Sequence, residues 1–129
     1  MTRKEQIIKN YTDIEQSRTL AEILHEETAD MCYGIDDGTL KYNDLPWLIP
    51  YHKYTIKEYY IPCWSLSALL NVLPNKISQY TKALFWFDDD WYCEYMDEDG
   101  ECRGGGEPAD NPVDACYKMI VKLHEQNLL

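Results

Sequence analysis

The sequence lacks a long apolar run and a regular pattern of cysteines. No stretch reaches the roughly 18 consecutive apolar residues that a membrane-spanning helix requires. The residues from Met1 to Gln6 lead directly into a charged amphipathic stretch, so we expect neither export nor membrane insertion. The five cysteines are odd in number and far apart, unlike the disulfide framework of a small secreted domain. These absences predict a cytoplasmic protein with reduced thiols.

The motifs that bind metals, phosphates and cofactors are also lacking. Structural zinc sites use Cys and His ligands in pairs separated by roughly two to four residues, whereas no two of the Cys and His residues here stand so close together. The run from Gly104 to Gly106 precedes a helix, as phosphate-binding loops do, but acids surround it and the usual lysine is missing. We therefore predict no metal and no cofactor, and we interpret the glycine run as a flexible connection.

Basic residues are scarce, because 12 Lys and Arg stand against 23 Asp and Glu and give a net charge of −11. The imbalance is concentrated between residues 88 and 114, which hold eleven acids and one base, Arg103. Such a segment repels the phosphate backbone of nucleic acids and attracts basic surfaces, so we expect no direct nucleic-acid binding. We predict instead a surface for a protein partner with a basic face. Its candidate residues are Asp88, Asp89, Asp90, Asp97 and Asp99.

Three segments combine helical periodicity with a residue that favours the helix N-cap. These caps are Thr12, Ser65 and Asn111, and a Pro at the first helical position strengthens the last of them. They predict helices over residues 12–25, 66–73 and 112–126. In each case the apolar residues fall on one side, so each helix has a face to bury.

Strand patterns alternate with these helices. Residues 29–35 alternate in polarity, and the aromatic-rich segments 83–87 and 91–96 flank three aspartates, which predicts a β-hairpin. A further strand is compatible with residues 54–61. The order predicts an α+β fold, an antiparallel sheet of three to four strands with about three helices packed mainly on one face. We predict one globular domain over residues 1–129. Its core strand residues should be Met31, Tyr33, Leu84, Trp86, Cys93 and Tyr95.

An irregular, proline-punctuated segment at about residues 45–60 holds a second set of candidates for a partner or ligand surface. They are Trp47, Tyr51, Tyr54, Tyr59 and Tyr60. Aromatic rings give much contact area at low entropic cost and are enriched at binding surfaces. The same segment is also compatible with a lid that packs over the core. A pocket lined by Trp47, Tyr59, Tyr60 or Trp64 would instead suit a small molecule.

One local grouping is compatible with nucleophilic catalysis. Cys63 or Ser65 would need His52 within reach to act as its base. The structural interpretation makes Ser65 a helix cap and Cys63 a packed small residue, and it explains both without chemistry. We therefore predict no catalytic residue.

Two blocks flank the predicted hairpin, IPCWSLSALLNVLP at residues 61–74 and NPVDACYKMIVKLHEQNLL at residues 111–129. Together they resemble small proteins of unknown function carried on phage-like and other mobile elements of gut bacteria. The resemblance lies in caps and apolar faces, so it implies a shared fold and a bacterial, cytoplasmic setting, and it brings no catalytic residues.

These observations predict a non-enzymatic accessory or interaction protein. It would bind a protein partner through the acidic stretch or the aromatic segment, or bind itself as a homodimer. Two alternatives remain open. One is a small-molecule binder or small enzyme that uses an aromatic pocket, and the other is an acidic DNA mimic that occupies a basic site on an enzyme.

Overall fold

The computed structural model describes residues 9–36, 39–40, 46–48 and 60–129, and for residues 35, 36, 39, 40, 47 and 48 it describes the backbone only. Three of the aromatic candidates, Tyr51, Tyr54 and Tyr59, lie outside the described residues, and so does His52. The helices are α1 (Ile14–Ile23), α2 (Leu66–Val72) and α3 (Pro112–Glu125). The strands are β1 (Met31–Asp36), β2 (Thr39–Leu40), β3 (Trp47–Leu48), β4 (Tyr60–Cys63), β5 (Lys76–Ile77), β6 (Tyr80–Phe87) and β7 (Asp90–Met96).

The predicted α+β class is confirmed, with the strands arranged in two antiparallel sheets. In the first sheet β1 pairs with β2, β3 and β4, and its register places Tyr33 opposite Ile61. In the second sheet the order is β5-β6-β7, and β7 pairs over its whole length with β6, from Thr81↔Met96 to Phe87↔Asp90. Helix α2 separates β4 from β5 along the chain, so the second sheet begins as a new unit after it.

Two of the three predicted caps are confirmed. The side chain of Ser65 accepts a hydrogen bond from the backbone N–H of Ala68 at 3.2 Å, and α2 ends at Val72, shortly before Pro74. The side chain of Asn111 accepts from the N–H of Asp114 at 2.8 Å at the start of α3. Both caps are local, because the partner lies three residues along the chain.

The predicted cap of α1 is wrong by one residue. Asp13 caps the helix, since its carboxylate accepts from the N–H of Gln16 at 2.8 Å and Gln16 returns a bond to the Asp13 backbone at 3.1 Å. Thr12 is instead fully buried, and its hydroxyl accepts from the N–H of Trp64 at 3.1 Å. The hydroxyl is thus used by a distant segment, which the local pattern could not indicate.

The main core lies between α2, α3 and the second sheet. Its largest fully buried side chains include Trp64, Tyr95 and Ile120. Of the predicted core residues, Trp86 is misassigned, because 55% of it is exposed. It lies on the same face of β6 as Leu84, one residue from the end of the strand, and the main core contacts Trp91 opposite it but not Trp86 itself.

Candidate functional site

The predicted hairpin is confirmed, and a two-residue turn closes it. Asp88 and Asp89 connect β6 to β7 with φ values of +52° and +69°. Two central residues with positive φ define the type I′ turn, whose twist matches that of the flanking strands. Asp tolerates this left-handed conformation better than most residues do. The turn therefore holds the neighbouring side chains in a defined register, with Phe87 opposite Asp90.

Large aromatic side chains are exposed on both faces of this hairpin end. Trp86 is 55% exposed and Phe87 is 65% exposed, and as consecutive strand residues they point to opposite faces. Phe85 stacks on Tyr92 across the strands, with ring centroids 5.6 Å apart and planes inclined by 18°. We call residues 85–92 the hairpin tip. Sequence reasoning missed Trp86 and Phe87 as surface residues, although the three aspartates that follow them are a signal that the strand is ending.

Four carboxylates surround the hairpin tip. Asp88 and Asp89 are exposed in the turn, and Asp90 is half-buried at the start of β7. Backbone hydrogen bonds of 2.8 and 3.0 Å pair Trp91 with Ala109, so the antiparallel register places Asp110 opposite Asp90. Within the part of the chain that the structure describes, none of the four carboxylates forms an ion pair. The tip thus combines exposed rings with uncompensated negative charge.

The other two acidic candidates, Asp97 and Asp99, lie at the opposite end of β7. A strand of this length separates them from the tip by roughly 20 Å. The Asp97 carboxylate accepts hydrogen bonds from the N–H groups of Asp99 and Glu101, each at 2.9 Å, so it stabilises the turn over residues 97–101. The structure therefore does not bring Asp97 and Asp99 together with the acids of the hairpin tip.

Two further acids of the acidic segment 88–114 form hydrogen bonds within the fold. Glu94 is 5% exposed, and its carboxylate accepts from the N–H groups of Gly106 at 2.8 Å and Tyr95 at 3.0 Å. Asp114 accepts from the Lys9 ammonium at 2.6 Å and from the Gln16 amide at 2.8 Å. Burial raises the pKa of Asp114, but these bonds outweigh it and leave the pKa below its ordinary value. Only part of the acidic stretch is thus available to a partner.

Cys63 and Ser65, the two candidates for a nucleophile, make contacts that are typical of structural residues. Cys63 is fully buried against Thr12, with its Sγ 3.4 Å from the Thr12 carbonyl oxygen, and burial raises the pKa of its thiol. The Ser65 hydroxyl donates to the Asp30 carboxylate, whose other oxygen accepts from the Ser65 N–H at 2.9 Å. A buried thiol with a raised pKa is a poor nucleophile at neutral pH. These contacts support the structural interpretation of both residues.

A cavity of about 660 Å³ lies between the C-terminal half of α1 and β4. It is lined by Arg18, Ala21, Glu22, Leu24, His25, Glu26, Glu27, Tyr60, Ile61 and Pro62. Of the pocket candidates that the structure describes, Tyr60 is in this lining and Trp64 is not. Trp64 is completely buried elsewhere and donates its indole N–H to Thr28 Oγ1 at 2.8 Å, while the backbone of Trp47 pairs with Cys32 in the first sheet. The described lining holds four charged side chains, Arg18, Glu22, Glu26 and Glu27, and one aromatic ring, so over these residues it differs from the aromatic pocket that the sequence suggested.

No helix among the described residues has the length and apolar character to cross a membrane. Over the same residues, no three His, Cys, Asp or Glu side chains are grouped so that they could hold a metal ion. In the comparisons with known proteins, no protein-family model, curated protein or solved structure matches the chain. The resemblance to mobile-element proteins therefore stays a prediction.

Proposed function

We propose that the chain is a non-enzymatic interaction domain that binds a protein partner with a basic surface through the hairpin tip. The observation that carries this proposal is the exposure of Trp86 and Phe87 on a hairpin end surrounded by four carboxylates without ion partners. Aromatic side chains are enriched at the centres of protein interfaces, and surrounding charge steers a partner of opposite sign.

Solubility alone would explain the carboxylates, but it does not explain the rings beside them. A solvated surface gains nothing from two large exposed aromatic side chains, so solubility does not account for them. The turn and the stacked pair of Phe85 and Tyr92 also fix the tip before any partner arrives. A preorganised surface loses less entropy on binding, which favours recognition by this end of the molecule.

We propose that a phage-like or other mobile element encodes the protein and that the protein resides in the bacterial cytoplasm. All five cysteines are thiols, and four of them are buried, which is compatible with a reducing compartment. Fractionation of the native host with an antibody to the chain tests this setting, and recovery from the periplasm would contradict it.

The binding surface is tested with two variants of equal charge. Asp88→Asn with Asp89→Asn neutralises the tip and keeps side chains that tolerate positive φ. Glu98→Gln with Asp99→Asn removes the same charge from exposed positions at the other end of β7. Proteins captured from host extract at moderate salt are compared by quantitative mass spectrometry. We expect a partner that the wild type and the second variant retain and that the first variant retains several-fold less.

A third variant, Trp86→Ala with Phe87→Ala, tests the rings. Because both side chains are exposed, we expect the fold to persist and the affinity for the captured partner to fall roughly thirtyfold or more, as at interface hot spots. A partner that binds all variants equally would contradict the proposal. Equal losses from both charge variants would favour the DNA mimic, and a dimer that the ring substitutions dissociate would favour the homodimer.

A further inference from the structure

The two long edges of the second sheet differ in how they are covered. On the β7 side, the N–H of Arg103 bonds to the Tyr95 carbonyl at 2.7 Å, and Ala109 pairs with Trp91. On the β6 side, β5 pairs only with Tyr80 and Thr81, and the N–H of Lys82 adds one bond to the Asn75 carbonyl at 2.9 Å. Beyond Lys82, no described residue pairs with this edge of β6.

The hairpin geometry identifies which backbone groups face outward on this edge, which no described residue covers beyond Lys82. In a two-residue hairpin the closing pair, here Phe87 and Asp90, exchanges hydrogen bonds, and the bonded pairs recur at every second residue. The N–H and C=O groups of Leu84 and Trp86 therefore point away from β7, as those of Lys82 do. They form a short row of donors and acceptors that ends at the hairpin tip.

We infer that an extended, basic segment of the partner protein adds to this edge as a further strand, bonded to the backbone of Leu84 and Trp86. The inference rests on the proposed function and gives it a binding mode. Strand addition takes affinity from main-chain hydrogen bonds and specificity from alternate side chains. The edge ends between Trp86 on one face and Phe87 on the other, so an added strand meets a ring on each side.

Charge identifies the class of segment that fits. Asp88, Asp89 and Asp90 lie at the end of this edge, and an arginine of the incoming strand can pair with them while its guanidinium lies over the Trp86 ring. The nearest base along β6 does not compete, because Lys82 directs its ammonium to the carbonyl oxygens of Leu70 and Leu73, at 2.5 and 3.2 Å. The partner segment therefore alternates apolar residues with Arg or Lys.

A second copy of the chain fits this edge poorly. Each copy carries a net charge of −11, and edge-to-edge pairing would bring two acidic tips into one assembly. Charge beside an edge strand is a common device against self-pairing. The same charge that favours a basic segment thus disfavours a homodimer at this site.

The test uses a short, end-capped peptide that alternates arginine and valine, titrated into the ¹⁵N-labelled full chain. We expect slower amide hydrogen exchange at Leu84 and Trp86 when the peptide binds. Two N-methylated versions are the matched controls, because methylation removes N–H donors from alternate residues. Methylation of the set that faces β6 should weaken binding about tenfold, whereas methylation of the other set should leave it unchanged.

The outcomes separate this inference from the proposed function. Binding with unchanged exchange at Leu84 and Trp86, or equal affinity for both methylated peptides, overturns strand addition and leaves the tip proposal standing. Absence of peptide binding also overturns strand addition, while the tip variants still decide the proposed function by partner capture. Exchange that slows with rising protein concentration, without peptide, identifies a second copy as the occupant and overturns the inference.

Discussion

At the scale of single residues, several side chains have roles that depend on contacts far away in the sequence. Thr12 accepts a hydrogen bond from the N–H of Trp64, and Glu94 accepts one from the N–H of Gly106. Asp114, at the start of α3, accepts one from the ammonium of Lys9. Each residue type was recognisable in the sequence, but its role was not, because each partner arrives through the fold. Acids that looked equivalent are thus divided between the interior and the surface.

Gly106 illustrates such a role. A methyl group at this position would meet the Glu94 carboxylate and would lie 2.9 Å from the Cys93 carbonyl oxygen. We expect Gly106→Ala to lower the free energy of unfolding by roughly 1–3 kcal/mol, as overpacking does, in urea titrations. Gly100→Ala is the control, because its positive φ adds strain of about 1 kcal/mol but no atom lies within 4 Å. A smaller loss for Gly106→Ala than for the control would contradict this contact.

Asp114 gives a pH-dependent prediction. Burial raises the pKa of this carboxyl, but the hydrogen bonds from Lys9 and Gln16 outweigh burial and lower the pKa in the folded state. The bonds therefore stabilise the folded protein at pH values above the ordinary pKa of the carboxyl. This stabilisation is lost as the pH falls through the pKa of the folded state. We expect Asp114→Asn to cost about 1–3 kcal/mol near pH 7. Urea titrations at several pH values should show this difference shrinking below about pH 4. A difference that stays constant into acid would contradict the role.

At the scale of elements, local sequence patterns predicted the structure correctly where both partners of a contact are close in sequence. The caps of α2 and α3 and the turn of the β6–β7 hairpin are of this kind, and all three were predictable. The separation into two sheets, the start of α1 and the exposure of Trp86 were not, since they depend on how distant elements pack against one another. The candidate site shares this division, because three of its four acids were named as candidates from the sequence, whereas Asp110 and the exposed rings were not.

The C-terminus of α2 depends on one distant side chain. Lys82 donates to the carbonyl oxygens of Leu70 and Leu73, which the helix leaves without partners of its own. We expect Lys82→Met to lower the unfolding free energy by about 1–2 kcal/mol, because it keeps the aliphatic stem and removes the donor. Lys76→Met, at an exposed position on β5, should change it by less than about 0.5 kcal/mol. Equal effects in denaturant titrations would contradict the capping role.

Substitutions in the hairpin turn should change stability and partner binding in opposite directions. Asp88→Asn with Asp89→Gly is the sequence that a type I′ turn prefers, so we expect a gain of about 0.5–1 kcal/mol in unfolding free energy. The same pair of substitutions removes two carboxylates from the tip and should weaken partner binding. Thermal unfolding and partner titration together check the prediction, and a variant that is both less stable and unchanged in binding would contradict it.

At the scale of the whole molecule, charge and apolar exposure meet at one end of one hairpin. The described part of the chain offers other surfaces, namely the charged cavity beside α1 and the acidic turn at Asp97, but neither combines exposed rings with unpaired carboxylates. The hairpin is also anchored, because β7 and α3 contribute Tyr95, Cys116 and Ile120 to the main core. The hairpin tip is thus attached directly to the main core.

The most direct measurement is to map the captured partner onto the ¹⁵N-labelled chain by the chemical shifts of its backbone amides. The account predicts that the largest changes fall on residues 84–92 and on Asp110. Changes centred on residues 97–101, or on the cavity beside α1, with the hairpin tip unaffected, would contradict it.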